Sequence, residues 1–195
     1  MKKFSWIFAL ILALSMAFVF AGCGEDDPGT EGLVFVPKMT WALGSSLSGN
    51  ATSDFNTVQT ILNGEGLDIA GNNTHVAVEI KGDGSIVVKT IADWGAGIDL
   101  MDSEFGFKQG DVIAVEGKLL GGSPSQIYIN TNTKGEQATK ADPNPTKGKT
   151  FTIKRTLSAD DITKIAAGEP QAVRISAKAD GITFQITAIS VTGKR

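Results

Sequence analysis

The chain has one cysteine, one histidine and one tyrosine among its 195 residues, and only 7% of it is aromatic. The single cysteine, Cys23, excludes an internal disulfide, so any folded domain must be held by its core. The single histidine, His75, excludes a zinc centre of the usual His and Cys type. A Ser-His-Asp triad would have to use His75, which sits in a strand-like run with no nucleophile elbow around it. No phosphate loop is present, because "GDGS" and "GGSPS" read as turns. Basic residues are also scarce: 18 Lys and Arg stand against 21 Asp and Glu, a net charge of −3. The lysines are scattered and form no stripe, which argues against nucleic acid as a partner. No residue pattern calls for a cofactor or a metal.

The one long apolar run stands at the start. "MKKFSWIFALILALSMAFVFAGC" has two lysines, an apolar stretch and small residues before Cys23, the form of an export signal. Its ending, "FAGC", resembles the lipobox of bacterial lipoproteins, with Phe20 where leucine is more usual. That resemblance implies cleavage before Cys23, lipid on its thiol, and a place in the bacterial cell envelope, anchored to the outer membrane or cell surface. An ordinary secretory signal or a retained membrane helix remains the alternative, since the run is long enough to span a bilayer. Residues 1–22 are thus expected to be a signal peptide. Residues 23–32, acidic and turn-rich, read as a flexible tether. Residues 33–195 have the length of one ordinary domain.

Within that domain the dominant period is two. "THVAVEIK" places Val76, Val78 and Ile80 on one face and His75, Ala77 and Glu79 on the other. "GSIVVKTI", "DVIAVEGKLL", "SQIYINTN", "KTFTIKRT", "QAVRISAK" and "GITFQITAISV" continue the pattern, each bounded by turn residues. "GDG" at 82–84 and "ADG" at 179–181 read as hairpin turns. "LVFVPKMTW" suggests an edge strand, with Pro37 where no ladder donor is needed. "LSADDITKIAAGEP" predicts a helix over 158–167 with Ser158 as N-cap, Ile162 and Ile165 inward, and Gly168 then Pro170 as the stop. A second short helix is expected over 56–64. The fold class that follows is all-β, a β-sandwich of jelly-roll type with one or two short helices.

Most of the acids fall in turns, where aspartate serves local hydrogen bonds, and no pair has a defined separation. Phe35, Phe105, Phe107, Phe151 and Phe184 sit among apolar partners and read as core. Trp41, Trp94 and Tyr128 do not. Ile127 and Ile129 point one way in "SQIYIN", so Gln126, Tyr128 and Asn130 share the other face. A tyrosine between two amides suits a sugar ring, with stacking for affinity and amides for orientation. An ordinary cross-strand aromatic fits the same residues equally well. Trp94, between Asp93 and Gly95, follows a strand and reads as a rim residue. The polar stretch 132–149 begins beside the Tyr128 face and has the length of a functional or mobile loop.

"GSIVVKTIADWGAGIDL…FGFKQGDVIAVEGKLL" resembles carbohydrate-binding modules of the xylan- and glucan-binding jelly-roll type, the galactose-binding-like sandwiches. Trp94, Gly95, Gly97, Asp99, Leu100, Phe107, Lys108, Gly110 and Asp111 carry the likeness, and "GITFQITAISV" resembles the modules' final strand. The resemblance implies a glycan or oligosaccharide as partner, with Trp94, Tyr128, Gln126 and Asn130 as the ligand-binding residues. The "Gly-Phe-Glu" opening of such modules is absent. Gln185 and Thr187 stand where they often carry a calcium-holding aspartate, so structural calcium is not expected. The function expected is therefore a non-catalytic cell-envelope lipoprotein that binds polysaccharide. A structural or adhesion lipoprotein meeting a protein partner is the alternative, and a glycoside-acting enzyme the third.

Overall fold

The alternating apolar runs form two antiparallel sheets packed face to face. The computed structural model describes residues 32–35, 47–48, 52–92, 95–124, 126–131 and 138–194. The strands are β1 (Gly32–Phe35), β2 (Leu47–Ser48), β3 (Leu67–Ala70), β4 (Val76–Ile80), β5 (Ile86–Thr90), β6 (Gly97–Met101), β7 (Val112–Gly121), β8 (Gln126–Asn130), β9 (Thr139–Lys140), β10 (Thr150–Thr156), β11 (Ala172–Lys178) and β12 (Thr183–Lys194). One sheet has seven strands in the order β10-β7-β12-β5-β4-β2, with β1 also paired to β12. The other has five, in the order β3-β6-β11-β8-β9. From β5 onward the chain passes repeatedly from one sheet to the other, which makes this a sandwich of jelly-roll type. From Glu31 to Arg195 it is one compact unit.

Each sheet turns one side chain in two toward the other. Val76, Val78 and Ile80 of β4, Ile113 and Val115 of β7, and Phe184 and Ile186 of β12 fill the interior from the larger sheet. Leu67, Ile98, Leu100, Ile127, Ile129, Val173 and Ile175 fill it from the smaller. Phe105, Phe107, Phe151 and Phe184 are all buried, as their apolar neighbours implied, and the side chain of Phe35 lies outside the described residues.

The helix predicted near Ser158 is present as Ala159–Ala166. Ser158 accepts from the Asp161 amide at 3.2 Å, and Asp161 accepts from the Ser158 amide at 2.9 Å, a reciprocal capping box. Ile165 is buried and Ile162 packs against the core at its edge. A second helix, Thr52–Asn63, starts earlier than the sequence suggested. Phe55, Val58 and Leu62 recur at helical spacing and are buried. A third, of four residues, spans Asp102–Phe105. In chain order these are α3, α1 and α2.

Two expectations need correction. "GDG" joins β4 to β5 as a hairpin, but "ADG" does not join a hairpin, because β11 and β12 lie in different sheets. Thr90 of β5 takes over that turn: its hydroxyl donates to the Ala179 carbonyl at 2.8 Å and accepts from the Ile182 amide at 3.0 Å. Its carbonyl accepts from the Gly181 amide at 2.8 Å. The turn's polar groups are thus spent on the opposite sheet, and the chain crosses over. The polar stretch 132–149 also contains a strand, since β9 pairs with β8 through Tyr128↔Lys140 and Ile129↔Thr139.

Candidate functional site on the outer face of the five-stranded sheet

The outward face of the smaller sheet is assembled by strand register. Asp68 of β3 stands opposite Asp99 of β6, Asp99 opposite Arg174 of β11, and Arg174 opposite Asn130 of β8. In the next row Gly97, Ser176, Tyr128 and Lys140 lie side by side. Lys178 and Gln126 form a third row. Side chains directly opposite one another share a face, so these rows make one polar surface backing the apolar interior.

Most of this surface is unusually well covered for the outside of a sandwich. Asp99 is 2% exposed, Asn130 4% and Ser176 fully buried. Arg174 donates from Nε and Nη2 to the two carboxylate oxygens of Asp99, at 2.7 and 2.8 Å. That bidentate fork fixes both side chains. Burial works against the Arg174 charge, but the Asp99 bonds and charge outweigh it and hold the guanidinium pKa above its ordinary value. The Ser176 hydroxyl donates to the Ala96 carbonyl at 2.6 Å, which pins the turn before β6 across β11.

Glycine makes that turn possible in two ways. Gly95 has a φ of 70°, in the left-handed region. A Cβ at Gly95 would stand 3.7 Å from Arg174 Nη1 and 3.8 Å from the Tyr128 hydroxyl oxygen, so the turn lies against both. A Cβ at Gly97 would run into the Ile175 carbonyl, so β6 and β11 approach this closely only because position 97 has no side chain.

The residues singled out from sequence are therefore partly gathered. Gln126, Tyr128 and Asn130 share the outward face, and Ile127 and Ile129 are inside. Tyr128 is 9% exposed and Asn130 is buried, with Gln126 half-buried beside them. Trp94 lies outside the described residues, as do Asp93, Pro37, Trp41 and Cys23 with its apolar leader.

Sequence reasoning missed Arg174 as a partner for this face. The signal was there, because Arg174 is out of phase with Val173 and Ile175 and so had to project outward with Asn130. It also missed a recess lined by Asp99, Asn130, Thr131, Gly168, Pro170, Ala172 and Arg174. This recess has room for about one water molecule. It therefore suits one hydroxyl group, held among a carboxylate, an amide, a hydroxyl and a guanidinium, with proline and alanine as apolar wall.

Asp68 and Asp99 are the two carboxylates that face each other here, and both are engaged. Arg174 takes both Asp99 oxygens, and Asp68 accepts from Gln59 Nε2 and from the Ile69 amide, each at 2.8 Å. Among the described residues no group of three His, Cys, Asp or Glu side chains is placed to hold a metal ion.

No protein-family model matches the chain, and no curated protein matches it. Among solved structures it is similar to the CBM22-1 xylan-binding domain from Paenibacillus barcinonensis Xyn10C, at 11% identity, over 65% of this chain and 85% of that one, with a TM-score of 0.39. Eleven per cent identity says nothing about which residues here touch a ligand.

Proposed function

We propose that this chain is an exported, non-catalytic envelope lipoprotein that binds glycan on the outer face of its five-stranded sheet. The observation that carries the reading is the hydroxyl-sized recess built from Asp99, Asn130, Thr131 and Arg174, continuous by register with Ser176, Tyr128 and Gln126. A sugar presents hydroxyls that both donate and accept, and this face offers carboxylate, amide, hydroxyl and guanidinium in fixed positions. Fixed polar groups favour such a ligand because little ordering remains to be done on binding. The recess is too small for a ring, so the ring lies over the face and inserts one hydroxyl. Trp94 joins the reading from the sequence alone, as an aromatic beside the Gly95 turn.

The exposed surface also favours sugar over a protein partner. Among the described residues Ile91 is the one large hydrophobic exposed, at 44%. A large contiguous apolar patch would have favoured a protein partner.

The test is a glycan array on the full-length chain, followed by titration of the best ligand. Gln126→Ala and Trp94→Ala should each weaken binding about tenfold, equivalent to ~1.4 kcal/mol. Unchanged affinity in both variants, with the fold intact by circular dichroism, would reject this face as the site. The anchor is tested separately. Cys23→Ser should move the protein from the membrane fraction to the soluble exported fraction of its host. If the variant is processed and retained like the parent, lipidation at Cys23 is wrong.

A further inference from the structure

We infer that this chain has a second binding site, a groove along the free edge of β10, and that its ligand is an extended peptide segment of a partner protein, added to the sheet as one more strand. The site is separate from the glycan face and does not depend on it. The groove has a volume of about 490 Å³, within the range of ligand sites. Pro143, Asn144 and Pro145, from the chain between β9 and β10, line it together with Thr150, Phe151 and Thr152 of β10. That connecting chain is tied down along its length. The Ala141 amide donates to the Ile127 carbonyl at 2.8 Å, Asn144 Nδ2 to the Pro124 carbonyl at 2.7 Å, and the Gly148 amide to the Leu119 carbonyl at 2.7 Å. A groove with a fixed wall needs little ordering to accept a ligand.

The ligand class follows from the strand edge. β10 ends the seven-stranded sheet and pairs along one side, with β7. The phase of that ladder fixes what the other side offers. The Leu119 amide donates to the Lys149 carbonyl at 3.0 Å, and the Leu157 amide to the Asp111 carbonyl at 2.8 Å. Hydrogen-bonded positions alternate along an antiparallel pair, so Phe151, Ile153 and Arg155 also turn their main-chain groups to β7. The amides and carbonyls of Thr150, Thr152 and Lys154 therefore point the other way, and among the described residues they have no backbone partner. Thr150 and Thr152 line the groove. Their donor and acceptor sets recur every second residue, about 7 Å apart. An extended peptide carries the same groups at the same repeat and completes the ladder. A sugar has no such repeat, and the aromatic ring lining the groove, Phe151, is buried and offers no open face for stacking.

Side chains set the pattern of the peptide. Phe151 and Pro145 are buried, while Thr150 and Thr152 are exposed. Residues opposite one another on paired strands share a face. The peptide thus places Val, Ile or Phe across from Phe151, and Thr or Glu across from Thr150 and Thr152. Lys154, farther along the edge, is a charge of the kind that discourages pairing between whole sheets, which leaves a short segment as the occupant. Recognition of this kind reads main-chain groups and needs no large apolar patch.

The experiment titrates the full-length chain, in detergent, with a panel of labelled synthetic peptides of about seven residues, the length of β10, in which Val, Ile or Phe alternates with Thr or Glu. At least one should bind, and the same peptide with its ladder amides N-methylated should bind about tenfold more weakly or worse, since its side chains are kept and its main-chain donors are lost. Thr152→Pro removes the outward amide and leaves the β7 ladder whole, because position 152 donates nothing to β7. It should weaken the peptide about tenfold, while Thr152→Ala, which keeps the amide, should stay within about twofold of the parent. Neither variant should change glycan binding through Gln126. If no peptide of the panel binds, if the N-methylated form binds as well, or if Thr152→Ala loses as much as Thr152→Pro, the inference is overturned. Should Thr152→Pro fail to fold, the N-methylated peptide decides alone. If sedimentation shows a dimer that Thr152→Pro separates, the edge belongs to a second copy of this chain, which also overturns it. If a glycan loses affinity in Thr152→Pro but not in Gln126→Ala, the groove takes sugar, and both this inference and the glycan face proposed above are wrong.

Discussion

Asp161→Ala is expected to cost about 3–5 kcal/mol of folding free energy, because it strands a buried arginine without its counter-ion. Asp161 is 3% exposed and Arg155 6%, and Arg155 Nη2 donates to Asp161 Oδ1 at 2.6 Å. Arg155 occupies an inward position of β10, where Phe151 and Ile153 are apolar. From the larger sheet it reaches across the interior to the smaller one, donating to the Thr139 hydroxyl at 3.1 Å and to the Ile129 carbonyl at 3.4 Å. Asp161 meanwhile accepts from the Thr131 hydroxyl at 3.1 Å. The pair therefore ties α3, β8, β9 and β10 together at one corner of the sandwich. The measurement is denaturant unfolding of parent and variant, and a loss below ~1 kcal/mol would mean that the pair is solvated in practice. Replacing both partners with apolar side chains should cost less than replacing one, since no buried charge is left alone.

The same pair links stability to pH and to the proposed binding face. Burial disfavours the Asp161 charge, yet the Ser158 amide, the Arg155 guanidinium and the Thr131 hydroxyl outweigh it and hold the carboxyl below the ordinary range. A carboxylate depressed in the folded state contributes stability that is fully present above its unfolded pKa of about 3.9 and is lost as pH falls through the folded value. The stability gap between parent and Asp161→Ala should thus narrow as the solution is acidified below about pH 4. Thr131 lines the recess, and Thr139 precedes Lys140 on β9. Loss of Asp161 should accordingly weaken glycan binding as well.

The parts of the structure that were legible in the sequence are those set by local pattern. β4, β7, β8, β10, β11 and β12 were visible because each alternates along one chain segment, β5 because it is a short apolar run between turns, and α3 because Ser158 and its acids form a self-contained cap. β3 and β6 were not singled out: "LDIA" and "GIDLM" are short, and each has a single polar residue, Asp68 or Asp99, between two apolar ones. Their assignment depends on register with β11, which no local window contains. The site follows the same division. The phase of Gln126, Tyr128 and Asn130 was readable within one strand. The Asp99–Arg174 fork joins residues 75 apart in the chain, and the turn at Gly95, just before β6, lies beside the Tyr128 hydroxyl of β8. Both are products of sheet pairing and stayed hidden.

Phe184→Ala is expected to destabilise by about 3–5 kcal/mol, a loss comparable to that of the ion pair but of different origin. Phe184 sits inside the sandwich on β12, between Val88 of β5 and Leu119 of β7, and all three are fully buried. Truncation removes most of a ring from a close-packed layer and leaves a cavity that the two flanking strands cannot close, because their own ladders fix their spacing. At roughly 2–4 °C per kcal/mol for a domain of this size, the melting temperature should fall by on the order of 10 °C. Phe184→Leu, which keeps more of the volume, should cost less than about 1.5 kcal/mol. The comparison with Asp161 then separates core from site. Phe184 contributes nothing to the outer face of the smaller sheet, so Phe184→Leu should bind glycan with parental affinity while its stability falls. Asp161→Ala should lose both. If Phe184→Leu weakened binding as much as Asp161→Ala did, the affinity would be following global stability and not the Thr131 and Thr139 contacts. The ion pair would then have no special part in shaping the face.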